Sequence, residues 1–186
     1  MAEHRVCPWW VGYLLASPVR KLFQDPAQML EPFVRAGMTV LEPGPGMGFF
    51  TLELARLVGP EGRVVAIDIQ PQMIARLCGR AERAGLIDRI EARVAPAATM
   101  ALDAYNDAVD FVLAFAVVHE MPSAAKFFAE AARAMKPGAS LLLAEPAGHV
   151  GKGEFEKELH VAGEAGLATV SRLSVSRSVA AVLTKP

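Results

Sequence analysis

Five continuous apolar runs constrain this chain more than any other feature: MTVLEP (38–43), RVVAID (63–68), RIEARVA (89–95), AVDFVLAFA (108–116) and ASLLLAEP (139–146). A strand with one face in water alternates apolar and polar residues, whereas a run that is apolar at consecutive positions must be covered on both faces. Helix-length segments separate the runs: 47–58, then 71–84 after the Gln70-Pro71 start, and 122–136, which opens with Pro122 and stops at Lys136-Pro137-Gly138. Proline near the start and glycine just past the end is the expected helix asymmetry. A weaker, short connection spans 97–106. The alternation predicts a parallel sheet of βαβ units whose right-handed crossovers place helices on both faces.

The C-terminal part reads differently. Residues 153–166 carry a helix pattern ending at Gly166, and two strand patterns follow, 167–175 and 178–185, separated only by Ser176-Arg177. A two-residue gap permits a hairpin and forbids a crossover. The expected fold is therefore α/β, a seven-stranded sheet that is mostly parallel with an antiparallel C-terminal edge hairpin. Before the first strand, residues 8–36 read as two helical pieces broken near Pro18 and Pro26, and they hold Trp9, Trp10, Tyr13, Phe23 and Phe33. A chain of 186 residues suggests one domain, with 1–36 as a helical cover and 37–186 as the α/β core.

Charge and cysteine usage narrow the function classes. With 19 basic and 20 acidic residues the net charge is −1, so nothing favours a nucleic-acid partner through long-range electrostatics. Hydrophobic residues make up 53% of the chain, yet every apolar run falls short of the roughly 18 residues that suggest a membrane span. Cys7 and Cys78 lack the spacing of a metal site or disulfide framework, and the N-terminus shows no signal pattern. The expectation is a reduced, cytoplasmic protein with no metal centre.

The loop VLEPGPGMGFF (40–50) lies between the first strand and the first helix, at the carboxyl end of a strand, where open α/β sheets bind ligands. A dinucleotide fingerprint beginning at Gly44 would place its third glycine at 49, where this chain has Phe49; the glycines run Gly44-x-Gly46-x-Gly48 instead. Pro43 and Pro45 offer no backbone N–H, which a diphosphate cradle requires. Asp68 ends the second strand 20 residues after Gly48, where a carboxylate can accept both hydroxyls of a ribose. Loop and acid together describe a nucleoside with a non-phosphate tail. The alternatives are a tight turn without a ligand and a strand-end aspartate that only starts the next turn.

Taken in order, VLEPGPGMGFFTLELARLVG, GRVVAIDIQPQMI, DAVDFVLAFAVVHEMP and ARAMKPGASLLLAEP resemble the successive motifs of class I S-adenosylmethionine-dependent methyltransferases, over about residues 36–186. The resemblance implies a Rossmann-like core and S-adenosylmethionine as cofactor. It implies that Glu42 faces the cofactor's amino-acid end while Gly44, Gly46 and Gly48 let the loop pass beneath it. Asp68 would hold the ribose and Ile69 would lie against the adenine. Phe115 and Ala116 match the position lining the methionine moiety and methyl group. The family's acidic residue after the third strand is missing: the segment reads Ala95, Pro96, Ala97, Ala98, so a backbone carbonyl near Ala97 or a water must meet the adenine amine.

Candidate bases follow the fourth and fifth strands. His119 and Glu120 come after AFAVV, Glu145 ends LLLAE, and His149 stands in EPAGHVG. In an open α/β sheet these loops share a side with the glycine loop, so His119, Glu120 and His149 are the catalytic candidates. Each histidine has a structural alternative: His119 as an organiser of its loop, His149 as a cap of the 153–166 helix, and His160 as a surface or packing residue. Cys78 is expected to be buried on a helix flanking the sheet. Trp9, Trp10 and Tyr13 can cover a sulfonium as a lid or pack on the core. The resulting expectation is methyl transfer to a small-molecule acceptor, with no nucleic-acid or membrane partner and with a homodimer left open. The rivals are a nicotinamide-dependent oxidoreductase and a non-catalytic S-adenosylmethionine-binding protein.

Overall fold

The computed structural model describes residues 25–175 and 177–186. The expected first helical piece and Cys7, Trp9, Trp10 and Tyr13 lie outside them. The described residues fall into two compact units divided between Ala95 and Pro96.

In the first unit the order along the chain is α1 (Pro26–Leu30), β1 (Thr39–Pro43), α2 (Thr51–Val58), β2 (Arg63–Asp68), α3 (Pro71–Arg83) and β3 (Ile90–Val94). Helix α1 begins where a proline fits best: Asp25 Oδ1 accepts the Ala27 N–H at 2.9 Å and Pro26 fills the first position. The strands lie parallel in the order β3-β2-β1, with Glu42 level with Ala66 and Asp68 level with Val94. Val40, Leu41, Val64, Val65 and Ala66 have no exposed surface, as their unbroken apolar runs require. On α3 the buried residues are Met73, Ile74, Leu77 and Ala81, a single stripe at helical spacing. Burial of each large side chain there contributes about 1.5–3 kcal/mol. Helix α2 starts at Thr51 rather than at the expected 47, because Gly46 and Gly48 take φ of +55° and +84° and keep the loop out of the helix.

The second unit holds β4 (Val109–Phe115), α4 (Ala124–Ala134), β5 (Met135–Pro146), α5 (Lys152–Glu164), β6 (Ala168–Val175) and β7 (Ser178–Thr184). Strands β4 and β5 are parallel, β7 runs antiparallel beside β5, and β6 antiparallel beside β7. The expected hairpin therefore forms, with Val175 opposite Ser178 and Arg177 at φ +58°. Segment 97–106 supplies only a 3-10 turn, Asp103–Tyr105.

One boundary departs from expectation. Helix 122–136 ends at Ala134, and Lys136-Pro137-Gly138 lies inside β5 instead of closing a helix. Met135 pairs with Val109 before the register shifts to Ser140 opposite Phe111. Lys136 Nζ reaches Asp110 Oδ1 at 2.6 Å and the Gly138 N–H donates to Lys185 O at 2.7 Å. Strand neighbours on both sides thus claim a segment whose local signal is a helix stop.

The seven strands make the expected class, a mixed sheet, mostly parallel with antiparallel C-terminal strands, surrounded by helices. Among the described residues no helix is long and apolar enough to cross a membrane.

Candidate functional site

In the first unit the glycine loop leaves β1 at Pro43, and the Gly44 N–H donates to Ile67 O at 2.8 Å, so the turn is tied to the end of β2. The Gly48 N–H donates to Pro45 O at 3.0 Å. Helix α3 supports the loop from behind: Arg80 Nη1 donates to the Met47 carbonyl, and a methyl group on Gly48 would stand 2.4 Å from Leu77 Cδ1. Around Gly46 no atom of the described residues lies within 4 Å of such a methyl group. Gly48 therefore serves packing, and Gly46 faces the open space that a ligand could use.

Glu42 is the last residue but one of β1 and is 3% exposed. Among the described residues its buried Oε2 has no partner in hydrogen-bond geometry, nor has Thr51 Oγ1 at the start of α2. Burial pushes the Glu42 carboxyl from 4.5 up to about 8; the nearby Thr51 hydroxyl opposes the rise and the Asp68 charge adds to it. A carboxyl in this state gains most from a cation, which would supply both the missing partner and the compensating charge. Asp68 is buried at the end of β2, and its Oδ1 accepts the Gln70 N–H at 2.9 Å. It starts the next turn through that bond. Ile69 beside it is 40% exposed, an uncommon position for a large aliphatic side chain.

In the second unit β4 is followed by a forced turn. Ala116 has φ +55° and donates its N–H to Ala144 O at 2.7 Å, so the chain leaves β4 still tied to β5. A left-handed alanine costs about 1–2 kcal/mol, and here the bend leads directly into a 3-10 turn, Val118–Glu120. Glu145 is wholly buried on β5, where Oε1 accepts the Val118 N–H at 2.8 Å and Oε2 is hydrogen-bonded to His119 Nδ1. Glu120 Oε1 stands 3.9 Å from His119 Nε2, and the exposed His149 ring lies edge-on at 5.6 Å from His119. The Glu145 hydrogen bond holds the His119 pKa above the usual imidazole value; burial opposes this, and the charges of Glu145, Glu120 and Glu158 reinforce it. Glu158, on α5, is pushed up to about 7 by burial and by Glu145, and its Oε2 is buried without a hydrogen-bond partner.

Several sequence expectations can be placed on this geometry. His119, Glu120, Glu145 and His149 come together. His149 does not cap α5, whose first turn is closed by Glu154 accepting the Gly151 N–H at 3.1 Å. His160 is exposed and sits 3.6 Å from Glu164. Cys78 is half-buried, not buried, because it falls beside the Met73–Leu77–Ala81 stripe of α3. Ala97 lies exposed in the turn after β3. Phe115 and Ala116 are half-buried at the end of β4. Among the described residues no three His, Cys, Asp or Glu side chains are grouped to hold a metal ion. Glu158 escaped the sequence reading although a signal existed: it follows Phe155 by three positions and precedes Leu159, both buried, so a glutamate stands on the apolar face of its helix. Thr51 gave no signal.

Residues 35–174 match a family described as a methyltransferase domain. The chain belongs to this family. A solved SAM-dependent methyltransferase from Aquifex aeolicus is 26% identical and is matched over 97% of this chain and 100% of its own, with a TM-score of 0.86. Ribosomal protein L11 methyltransferase of Pelotomaculum thermopropionicum is 34% identical over 115 residues, which are 62% of this chain and 34% of that protein. Catechol O-methyltransferase of Mycobacterium tuberculosis is 47% identical over 58 residues, 31% of this chain and 26% of that protein. The methyltransferase domain thus spans about a third or less of the length of these two curated relatives.

Proposed function

We propose that this methyltransferase domain binds S-adenosylmethionine through its first unit and transfers the methyl group to a small-molecule acceptor, with His119 as the base. The observation that carries the reading is Glu42: a buried carboxyl with an orphaned oxygen, next to a glycine loop with open space at Gly46. That arrangement suits the ammonium of an amino-acid tail and does not suit a diphosphate. The proline-interrupted loop and Phe49, where the dinucleotide fingerprint has glycine, disfavour the nicotinamide rival.

Residues then take the following roles. Glu42 meets the ammonium, Gly44 and Gly46 allow close backbone approach while Gly48 lets the loop pack on α3, Asp68 accepts from the ribose hydroxyls, and the exposed Ile69 covers the adenine. A backbone group near Ala97 meets the adenine amine. Phe115 and Ala116 line the methionine end. When bound, the cofactor supplies an electrophilic methyl on a sulfonium, so the chain's own contribution is alignment, exclusion of water and removal of the acceptor's proton. His119 takes that proton at Nε2, with Glu120 and His149 beside it.

The names of the relatives cover a protein acceptor and a small phenolic one. A small acceptor is favoured because the described residues are taken up by the sheet and its helices, and because a net charge of −1 offers no attraction to a polyanion. Calorimetry with S-adenosylhomocysteine and with NADH tests the cofactor: binding of the first alone is expected, and binding of NADH alone would overturn the reading. A panel of phenols, amines, thiols and carboxylates tests turnover; tight cofactor binding without turnover of any member would favour the non-catalytic rival.

A further inference from the structure

We infer that Glu145 is a positioning residue that makes His119 a base, by fixing the imidazole as the Nδ1–H tautomer with Nε2 left for the acceptor proton. The inference rests on the reading of His119 given above. Its basis is the way one buried carboxylate is shared. Glu145 has no exposed surface, and each of its oxygens is committed: Oε1 to the Val118 N–H at 2.8 Å and Oε2 to His119 Nδ1. An ionised carboxylate has no proton to donate, so the bond to the neutral ring requires the hydrogen on Nδ1. The same side chain anchors the backbone immediately before His119, so ring and main chain are held by one rigid strand residue. Nε2 is left with Glu120 Oε1 at 3.9 Å, beyond hydrogen-bond reach.

The proton balance follows. The acceptor's O–H or N–H proton passes to Nε2, the Nδ1 proton stays in place, and the imidazolium formed keeps its hydrogen bond to Glu145 Oε2. Groups facing the ring come from four places: Glu120 on its own turn, Glu145 on β5, His149 after β5, and Glu158 on α5, with Glu154 acting on Glu158 in turn. The Glu145 hydrogen bond and the charges of Glu145, Glu120 and Glu158 favour the protonated ring and burial opposes them, so the net direction is a His119 pKa above the ordinary 6.5.

Glu145→Gln separates this from a structural role. The glutamine amide retains shape but places an N–H₂ toward one of its two partners. Because the Val118 N–H claims the amide oxygen, the N–H₂ faces Nδ1 and drives the ring to the Nε2–H tautomer. Methyl transfer at saturating cofactor is expected to fall on the order of 10²- to 10⁴-fold, with S-adenosylhomocysteine affinity unchanged and the midpoint of any residual pH–rate profile moved to lower pH. Nitrogen NMR of ¹⁵N-imidazole-labelled protein reads the tautomer without turnover: wild type above its titration should carry the proton on Nδ1, and Glu145→Gln on Nε2. An Nε2–H tautomer in wild type would overturn the inference, as would a variant whose tautomer and pH midpoint match wild type. If the variant does not fold, the wild-type spectrum still decides. Absence of turnover with every acceptor would sink the methyltransferase reading, while the wild-type tautomer would still decide whether Glu145 orients His119.

Discussion

Gly48 in the ligand-side loop and Leu77 on helix α3 are packed so closely that one added methyl on the glycine would come within 2.4 Å of Leu77 Cδ1. Leu77 is fully buried and has little room to move, and Gly48 also has φ +84°. The three alternating glycines, alike in sequence, are therefore unlike in purpose. Gly48→Ala should destabilise the fold by about 1–3 kcal/mol through overpacking and left-handed strain. Gly46→Ala carries only the strain, about 1–2 kcal/mol, and should instead weaken cofactor binding. Denaturation and calorimetry on both variants check this; equal stability losses with equal binding losses would show that the loop has no ligand side. A branched residue at 46 is unsuitable for this test, because φ +55° would strain the fold together with the site.

Glu42 makes stability depend on pH. Its folded pKa, about 8, lies above the ordinary 4.5, so the native state binds more protons between those values. Stability is then highest below about pH 4.5 as far as this group is concerned, declines as pH rises, and levels off above about 8. Urea denaturation of wild type between pH 6 and pH 9 should show a loss on the order of 2–5 kcal/mol that Glu42→Gln lacks. The same variant should bind S-adenosylhomocysteine more weakly, and wild-type binding should tighten as pH approaches 8 and release a proton, measurable as a buffer-dependent heat.

Asp68→Asn keeps an oxygen for the Gln70 N–H, so the turn after β2 should survive. What the variant loses is the charge that the ribose hydroxyls would meet. Cofactor affinity should drop by roughly 1.5–3 kcal/mol, the range for charge-assisted hydrogen bonds, as read by calorimetry. An unaltered dissociation constant would place the ribose elsewhere.

His119→Ala should lower the methyl-transfer rate about 10²- to 10⁴-fold with little change in cofactor affinity. Since neighbouring carboxylates raise the His119 pKa, the wild-type rate should climb with pH and reach half its plateau above the ordinary 6.5. The stability sign is the reverse of the activity sign: protonated His119 is stabilising below the unfolded pKa, and that contribution fades as pH rises through the folded value. A variant whose pH–rate profile keeps the wild-type shape would remove His119 from the chemistry.

Arg177 sits at φ +58° in the β6–β7 hairpin, where glycine is unstrained. Arg177→Gly should raise stability by about 0.5–1 kcal/mol, relief of strain outweighing the added chain entropy. Thermal denaturation reads the gain, and a lowered melting temperature would show that the arginine side chain matters more than its backbone.

The primary structure by itself determined the class of fold and the place of the glycine loop between β1 and α2. Unbroken apolar strands must be covered on both faces, a two-residue gap must be a hairpin, and glycines after a buried strand mark a loop that leaves the strand without entering a helix; all three are local signals. It also put His119, Glu145 and His149 at strand ends. Tertiary structure alone decided the rest, because it depends on what long-range neighbours claim. Lys136-Pro137-Gly138 became strand since Asp110 and Lys185 bind it from either side. Gly48 serves packing because α3 returns Leu77 to it. Glu145, one acid among 20, acquired its proposed role only by burial beside Val118 and His119, and desolvation likewise raised the pKa of Glu42 and of Glu158. No residue's identity reveals its loss of water, and that loss is what raised the Glu42 and Glu158 carboxyls.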